Sequence, residues 1–366
     1  MNGLRIAVVG NPENRRVGLF ARAAADLGLA QPRIVPWLDA ARGLARFEPG
    51  EIVRVDSPGE NAEVAGLLRG SADPIDMYRV EGTAAWYAGF TAALGVIHSQ
   101  ITDAGAVALA DPAETAIVFD KAQCLAWLEK HAVAVPPVLP GIDDFDSLAA
   151  ALAPPWHGDV FVKIRHGSSA SGVVALVVRG GRPVEAITSA EMERDGDEVR
   201  LYNSLRVRRY RRADDIRTLI NILAEDGLHV EAWIPKHRSR TDRSDVDVRV
   251  VTIAGRATHA VVRVSGQPMT NLHLGGRRGD LAEFQGEIGP ERWAAILSLA
   301  EKAAGCFPNS HCLGVDILPD ARDRQYVGEV NAYGDLLPNL LGLPGSIGEG
   351  VDTYTAQLRS LIQEFG

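Results

Sequence analysis

Hydrophobic and polar positions in the first hundred residues switch between a period of two and a period near 3.6, and the switches mark the elements. The segments "LRIAVVG", "RIVPW" and "EIVRV" read as strands; "RRVGLFARAAADLG", ending at Gly28, and "EGTAAWYAGFTAALG" read as helices with an apolar face. Strand and helix alternating in this order predict a parallel sheet with helices on its faces. The first turn, "GNPENRRVG", lacks GxGxxG, so a dinucleotide fingerprint is absent and a dehydrogenase reading is the weakest.

From Asp120 the pattern is helical through "DKAQCLAWLEKHAV" and stops at "VPPVLP", where successive prolines cannot continue a helix. Two β-branched runs, "VFVKI" and "GVVALVV", then flank the loop "RHGSSASG". A strand "VRLYNSLRVRRY", a helix "ADDIRTLINILAEDG" capped by Gly227, and strands "LHVEAWI", "DVDVRVVTIAG" and "RATHAVVRV" follow. A glycine-rich connection leads to the helix "PERWAAILSLAEKAAG", a hairpin near Gly314 to Val330, and a last helix "DTYTAQLRSLIQEF". This predicts an α/β chain in three parts: an N-terminal α/β domain (1–110), a domain holding the Gly/Ser-rich loop (111–228) and a C-terminal domain (229–366).

Composition narrows the function classes. The 366 residues are 46% hydrophobic and 23% charged, with no run of eighteen apolar residues, so no membrane span is expected. The N-terminal apolar run is too short for a signal segment, and Cys124, Cys306 and Cys312 form no framework; a reducing cytoplasm is the expectation. A net charge of −9 argues against nucleic acid as a partner. The basic run from Arg206 to Arg217 reads first as a solvated strand and helix start, with a cationic wall facing an anionic ligand as the alternative.

Two motifs carry chemistry. Lys163 stands at the end of an apolar strand just before "RHGSSASG". A phosphate loop of the GxxxxGK type sets its lysine after the glycines and opens a helix, which is the reverse order. Exposed backbone N–H groups in such a tip can ring phosphate oxygens beside an ammonium, which makes the hairpin a candidate phosphate flap; a plain hairpin with an edge lysine fits as well. In "GVDILPDARDRQYVGEVNAYGD", pairing residues whose numbers sum to 645 sets Asp316 opposite Glu329 and Leu318 opposite Val327, with a turn at 321–324. Glu329 and Asn331 then share a face with Asp316. Opposed carboxylates repel, and a divalent cation taking oxygen ligands, Mg2+ above all, removes the conflict. His131, His157, His259 and His311 have no partner at metal spacing, and His166, in the flap, reads as solvated.

These motifs occur in the order of the ATP-grasp superfamily: "DK", "FVK" before "GSSASG", "VEAWI", "TNLHLGG" and "GVDIL…GEVNAYGD". Residues from Asp120 to about Leu341 resemble its glutathione synthetase and ribosomal glutamate ligase branch, and more distantly the D-alanyl-D-alanine ligases. The resemblance implies an ATP-grasp fold, two α+β subdomains clamping ATP, after an N-terminal Rossmann-like domain. It implies that Lys121 and Lys163 hold the ATP phosphates under a flap of Gly167, Ser168, Ser169 and Gly172. Glu231 would take the adenine amine, with backbone groups of Ala232 and Ile234 at the purine edge; Trp233 between them reads as core as readily as hinge. Asp316, Glu329 and Asn331 would bind Mg2+, with Glu329 bridging two ions and Mn2+ the alternative metal. Arg249, Arg263, Asn271 and Arg277 would line the reacting centre, where Gly275 and Gly276 permit close approach. D-alanyl-D-alanine ligases carry an arginine where Gly314 stands, which sets this chain apart from their substrate handling.

The implied reaction is ADP-forming ligation of a small-molecule carboxylate and an amine through an acyl phosphate. The alternatives are an ATP-dependent modifier of a peptide or protein, and a nucleotide-binding module without catalysis. Members of that family often form homodimers, and the sequence leaves the oligomeric state open. Replacing Lys163, Asp316 or Glu329 with alanine is expected to abolish ATP turnover and leave the fold intact.

Overall fold

The computed structural model describes residues 4–71, 75–167, 170–196, 198–333, 337 and 339–366, with main chain only at 273. Among these, strands form three sheets. The first is parallel, in the order β2-β1-β3-β4: β1 Ile6–Gly10, β2 Arg33–Pro36, β3 Ile52–Val55 and β4 Val107–Ala108. Helices α2 (Trp37–Ala41), α3 (Ala62–Leu68) and α4 (Thr83–Asp103) cover one face around Trp37 and Phe90. α1 (Arg15–Asp26) covers the other together with the last helix of the chain.

The second sheet, in the order β5-β10-β6-β7-β8-β9, is antiparallel. It comprises β5 Val138–Leu139, β6 Val160–Ile164, β7 Val174–Arg179, β8 Arg182–Asp195, β9 Glu198–Tyr210 and β10 Leu228–Ala232. Period-two alternation buries Val160, Val162 and Ile164 of β6 against helix residues Leu148, Ile216, Leu219 and Ile220. Phe161 and Lys163 therefore point to the opposite face.

The third sheet runs β13-β12-β11-β14-β15: β11 Asp245–Ile253, β12 Arg256–Ser265, β13 Arg277–Arg278, β14 Cys312–Pro319 and β15 Gln325–Asn331. Val246, Val248, Val250, Ala260, Val262, Val264, Val315 and Ile317 fill the core on one face. The same alternation sets Asp247, Arg249, Arg263 and Asp316 on the other. The remaining helices are α5 (Pro112–Phe119), α6 (Lys121–Lys130), α7 (Phe145–Ala151), α8 (Ala213–Ala224), α9 (Leu281–Ile288), α10 (Pro290–Ala304) and α11 (Thr353–Phe365). Val118 of α5 and Cys124 and Leu128 of α6 pack into the third-sheet core, while Tyr354, Leu358 and Leu361 of α11 pack beneath the first sheet.

The hairpin β14–β15 keeps the expected pairing of Asp316 with Glu329 and departs from it one step later. A bulge between Asp316 and Ile317 leaves Leu318 opposite Tyr326, not Val327. Both Val327 and Val330 are buried, and residues three apart share one face of a strand only where an extra residue, here Gly328, is inserted between pairs. No room exists for a side chain there: a Cβ on Gly328 would lie 2.8 Å from Leu318 Cδ1. Among the described residues, no helix is long and apolar enough to cross a membrane.

Candidate functional site

The second sheet meets the segment before β13 through an apolar cluster, and each of the second and third sheets carries matched charges of its own. Phe161, Ala175 and Ile187 from the second sheet and Val173 just before β7 pack with Met269 and Leu274, which precede β13. Trp233 joins them with its ring 5.3 Å from that of Phe161, so it packs in this cluster. Its backbone leaves β10 with Ile234, which is buried. The Ala232 amide donates to Pro137 O (2.8 Å) and the Trp233 amide to Asp159 O (2.9 Å), so neither N–H is open to a ligand.

Beside this cluster Lys163 Nζ donates to Glu231 Oε1 at 2.5 Å, and His229 Nε2 lies 2.9 Å from Glu231 Oε2. Burial alone would raise the Glu231 carboxyl, but the Lys163 ammonium and His229 hold its pKa down to about 2. Burial alone would lower Lys163, and Glu231, Glu329 and Asp316 outweigh it and raise the ammonium. Lys121, the first residue of α6, donates from Nζ to Gly167 O at 2.5 Å and lies 2.9 Å from Glu329 Oε1. Lys121, Gly167 and Glu329 are thus adjacent, and Lys163 lies near enough to feel both Glu329 and Asp316. Ser168 and Ser169 lie outside the described residues; Gly172 takes φ +65 at the far side of the flap.

On the third sheet Asp316 receives a two-pronged grip from Arg249, through Nε to Oδ1 and through Nη2 to Oδ2 (2.7 Å). Arg263 Nη2 adds a contact at 3.0 Å to Oδ2, while its Nε donates to Asp247 Oδ1 at 2.6 Å. Burial would push the Asp316 carboxyl up; the two guanidinium groups instead hold it well below the usual carboxylate range. Asp247 also accepts from Thr270 Oγ1, and Lys236 Nζ lies 3.6 Å away. Asp247 and Lys236 went unrecognised in the sequence, although Asp247 stands two residues before Arg249 on a strand and so shares its face.

Asn331 pairs with Gly314 in the ladder and donates from Nδ2 to Gly314 O at 3.3 Å. Asp316, Glu329 and Asn331 offer oxygen donors from neighbouring ladder positions, a chemistry suited to Mg2+. Among the described residues no three His, Cys, Asp or Glu side chains group to hold a metal. An ion held by two carboxylates and an amide would complete its shell with phosphate and water oxygens, as Mg2+ commonly does.

Asn271 opens the turn Leu272–Leu274, and Gly275 follows at φ +85. A Cβ on Gly276 would lie 2.6 Å from Thr270 O and 2.7 Å from Asn271 O, so this turn closes only with glycine. Arg277 is exposed and pairs with Asp242, away from the Asp316 cluster. His166 is not solvated as expected: its ring stacks on Tyr87 of α4 at 3.9 Å and 11°, with Nε2 3.2 Å from Asp120 Oδ2. The basic run proves to be the end of β9 and the start of α8. Arg208 bonds Glu191, and Arg209 and Arg211 meet Glu185, both acids on β8.

No protein-family model matches the chain, and no curated protein matches it in sequence. Solved structures do. It is similar to the D-cycloserine synthetase DcsG at 17% identity and TM-score 0.56, over 99% of each chain. It is similar to the ATP-grasp ligase PsnB complexed with minimal precursor at 17% identity and TM-score 0.55, over 100% of each chain. It is also similar to a D-alanine–D-alanine ligase from Bacillus anthracis complexed with ATP, at 13% identity and TM-score 0.53, over 99% of this chain and 97% of that one. Likeness at such low identity speaks to fold.

Proposed function

We propose, on the premise that the chain has the ATP-grasp fold its solved relatives share, that it is an ADP-forming ligase joining a carboxylate to an amine. The observation that carries this reading is that Lys121 pairs with Glu329 and Lys163 with Glu231, with Lys163 near enough to feel Glu329 and Asp316, which lie opposite each other. An N-terminal domain, a flap-bearing domain and a C-terminal domain would supply its three walls.

In this reading the Lys121 and Lys163 ammonium groups exchange carboxylate partners for phosphate oxygens, and the segment from Gly167 to Gly172 closes over them. Phe161, Ala175, Met269 and Leu274 would supply apolar contacts to a purine once they part, and Glu231 would accept from its exocyclic amine. Asp316, Glu329 and Asn331 would hold Mg2+, which when bound neutralises charge on the phosphate oxygens. The ion count and the choice between Mg2+ and Mn2+ belong to the proposal.

The chemistry has two steps. A carboxylate oxygen of the first substrate attacks the γ-phosphorus, the P–O bond to ADP breaks, and an acyl phosphate forms. The amine nitrogen then attacks the acyl carbon, the C–O bond to phosphate breaks, and the nitrogen loses its proton. Arg249 and Arg263 sit where a fork can orient the carboxylate or the transferring phosphoryl group. Asn271 and the Gly275–Gly276 turn would allow backbone approach to the same centre, and Arg277 would have to leave Asp242 to reach it. Excluding water protects the acyl phosphate from hydrolysis, a task for the flap.

A reducing cytoplasmic setting fits the unpaired Cys124, Cys306 and Cys312. The second reading, an ATP-dependent modifier of a peptide, draws support from the full-length likeness to PsnB, whose structure holds a precursor. Release of ADP, screened with Mg2+ over paired small carboxylates and amines and over acidic peptides, tests both. Turnover only with metabolite pairs favours the first, turnover only with peptides the second, and none with any pair counts against a ligase.

A further inference from the structure

Lys121 and Lys163 stand on different elements, a helix start and a strand end, and both must meet one triphosphate. Building on the nucleotide reading above, we infer that Asp120 is the positioning residue that holds α6 and the root of the flap as one unit. Its carboxylate is 1% exposed and reaches both sides. On α6 it accepts from Gln123 N (3.0 Å) and Gln123 Nε2 (2.9 Å). At the flap root it accepts from Arg165 Nε (3.2 Å) and Nη2 (2.5 Å) and lies 3.2 Å from His166 Nε2.

The backbone completes the clasp. Lys121 N donates to Arg165 O at 3.0 Å, and Lys121 Nζ to Gly167 O at 2.5 Å. Gly167 is packed so closely that a Cβ would lie 2.6 Å from Ile164 Cγ1. His166 carries the link to the N-terminal part through its stack on Tyr87, whose hydroxyl donates to Ala116 O of α5 at 2.9 Å.

Capping does not explain the charge. Asparagine or serine caps a helix about as well as aspartate, so an N-cap on its own has no need of a buried anion. The anion is required by Arg165 and His166, and charge-assisted bonds of this kind are roughly twice as strong as neutral ones. Asp120 touches no proposed ligand atom; it acts through Lys121 and the flap.

The test is calorimetric titration of Mg-ADP into the full chain and into Asp120→Asn, Arg165→Gln, their double variant and Lys163→Ala, with melting curves for each. Asparagine keeps the cap, and Arg165, with a side chain 36% exposed, can be replaced without opening the core. The inference expects Asp120→Asn and Arg165→Gln each to weaken binding about tenfold and the double variant to be no weaker than either. Losses that multiply in the double variant, or a lower melting point with unchanged affinity, overturn the positioning role. So does Asp120→Asn within about twofold of the parent while Lys163→Ala fails to bind, a result that leaves the nucleotide reading standing. Parent-like binding by Lys163→Ala removes the nucleotide reading and the inference with it.

Discussion

Asp316 and Glu329 face each other across β14 and β15, and each carboxylate is matched by a cation from another element. Arg249 and Arg263 close on Asp316, and Lys121 lies 2.9 Å from Glu329. Opposed carboxylates that repel one another are thus held apart in their interactions, and the groups that neutralise them are those expected to grip a nucleotide.

Glu329→Gln separates the metal role from the phosphate role. Its side chain is 34% exposed, so the fold should tolerate the change. Mg-dependent ADP release is expected to fall at least about 100-fold. Metal-free ADP should bind about two- to fivefold more tightly, because Lys121 loses a competing anion. Coupled-assay rates and titration with EDTA present check the two halves; unchanged turnover would refute the metal assignment.

Asp316→Asn should behave differently. Its side chain is 9% exposed between two guanidinium groups, and removing one partner of a buried pair costs about 3–5 kcal/mol. Turnover should vanish together with a clearly lower melting temperature, so the expectation of an untouched fold holds better for Glu329 than for Asp316. Thermal melts of the two variants side by side make the comparison.

The acid limb of stability reports on Glu231. Its pKa is held at about 2 in the folded chain, below the ordinary 4.5. A depressed carboxyl contributes stability that is whole above 4.5 and is lost as pH falls toward 2. Chemical denaturation between these limits should lose up to about 3 kcal/mol from this group, and Glu231→Gln should lack that portion of the slope.

Part of this site is legible from alternation: the pairing of Asp316 with Glu329 and the shared face with Asn331 follow from strand period. Glu231, Arg249 and Arg263 come from the family resemblance, and the structure sets each at a strand position opposite to buried valines. The bulge at Gly328 was not legible, since one inserted residue leaves the hydrophobic pattern nearly unchanged while shifting Leu318 onto Tyr326. β8 was missed because "PVEAITSAEMERD" is rich in acids; those acids answer the arginines of β9, and the Asp195-Gly196 dipeptide was the turn signal. Asp120 read as a helix start because its second set of partners, Arg165 and His166, lies over forty residues away.

Gly276→Ala probes the turn beside the proposed reacting centre. The added methyl meets backbone oxygens at 2.6 and 2.7 Å, which cannot swing aside as a side chain would. ADP release is expected to drop at least about tenfold, a misplacement effect, while Mg-ADP affinity stays near that of the parent. Steady-state kinetics and titration on one preparation check it.

The most direct measurement is a structure of the chain with Mg2+ and a non-hydrolysable ATP analogue. The account predicts one triphosphate within about 4 Å of both Lys121 Nζ and Lys163 Nζ, with the metal on Asp316 and Glu329. An empty crevice at saturating analogue, or a nucleotide bound elsewhere on the chain, would contradict it.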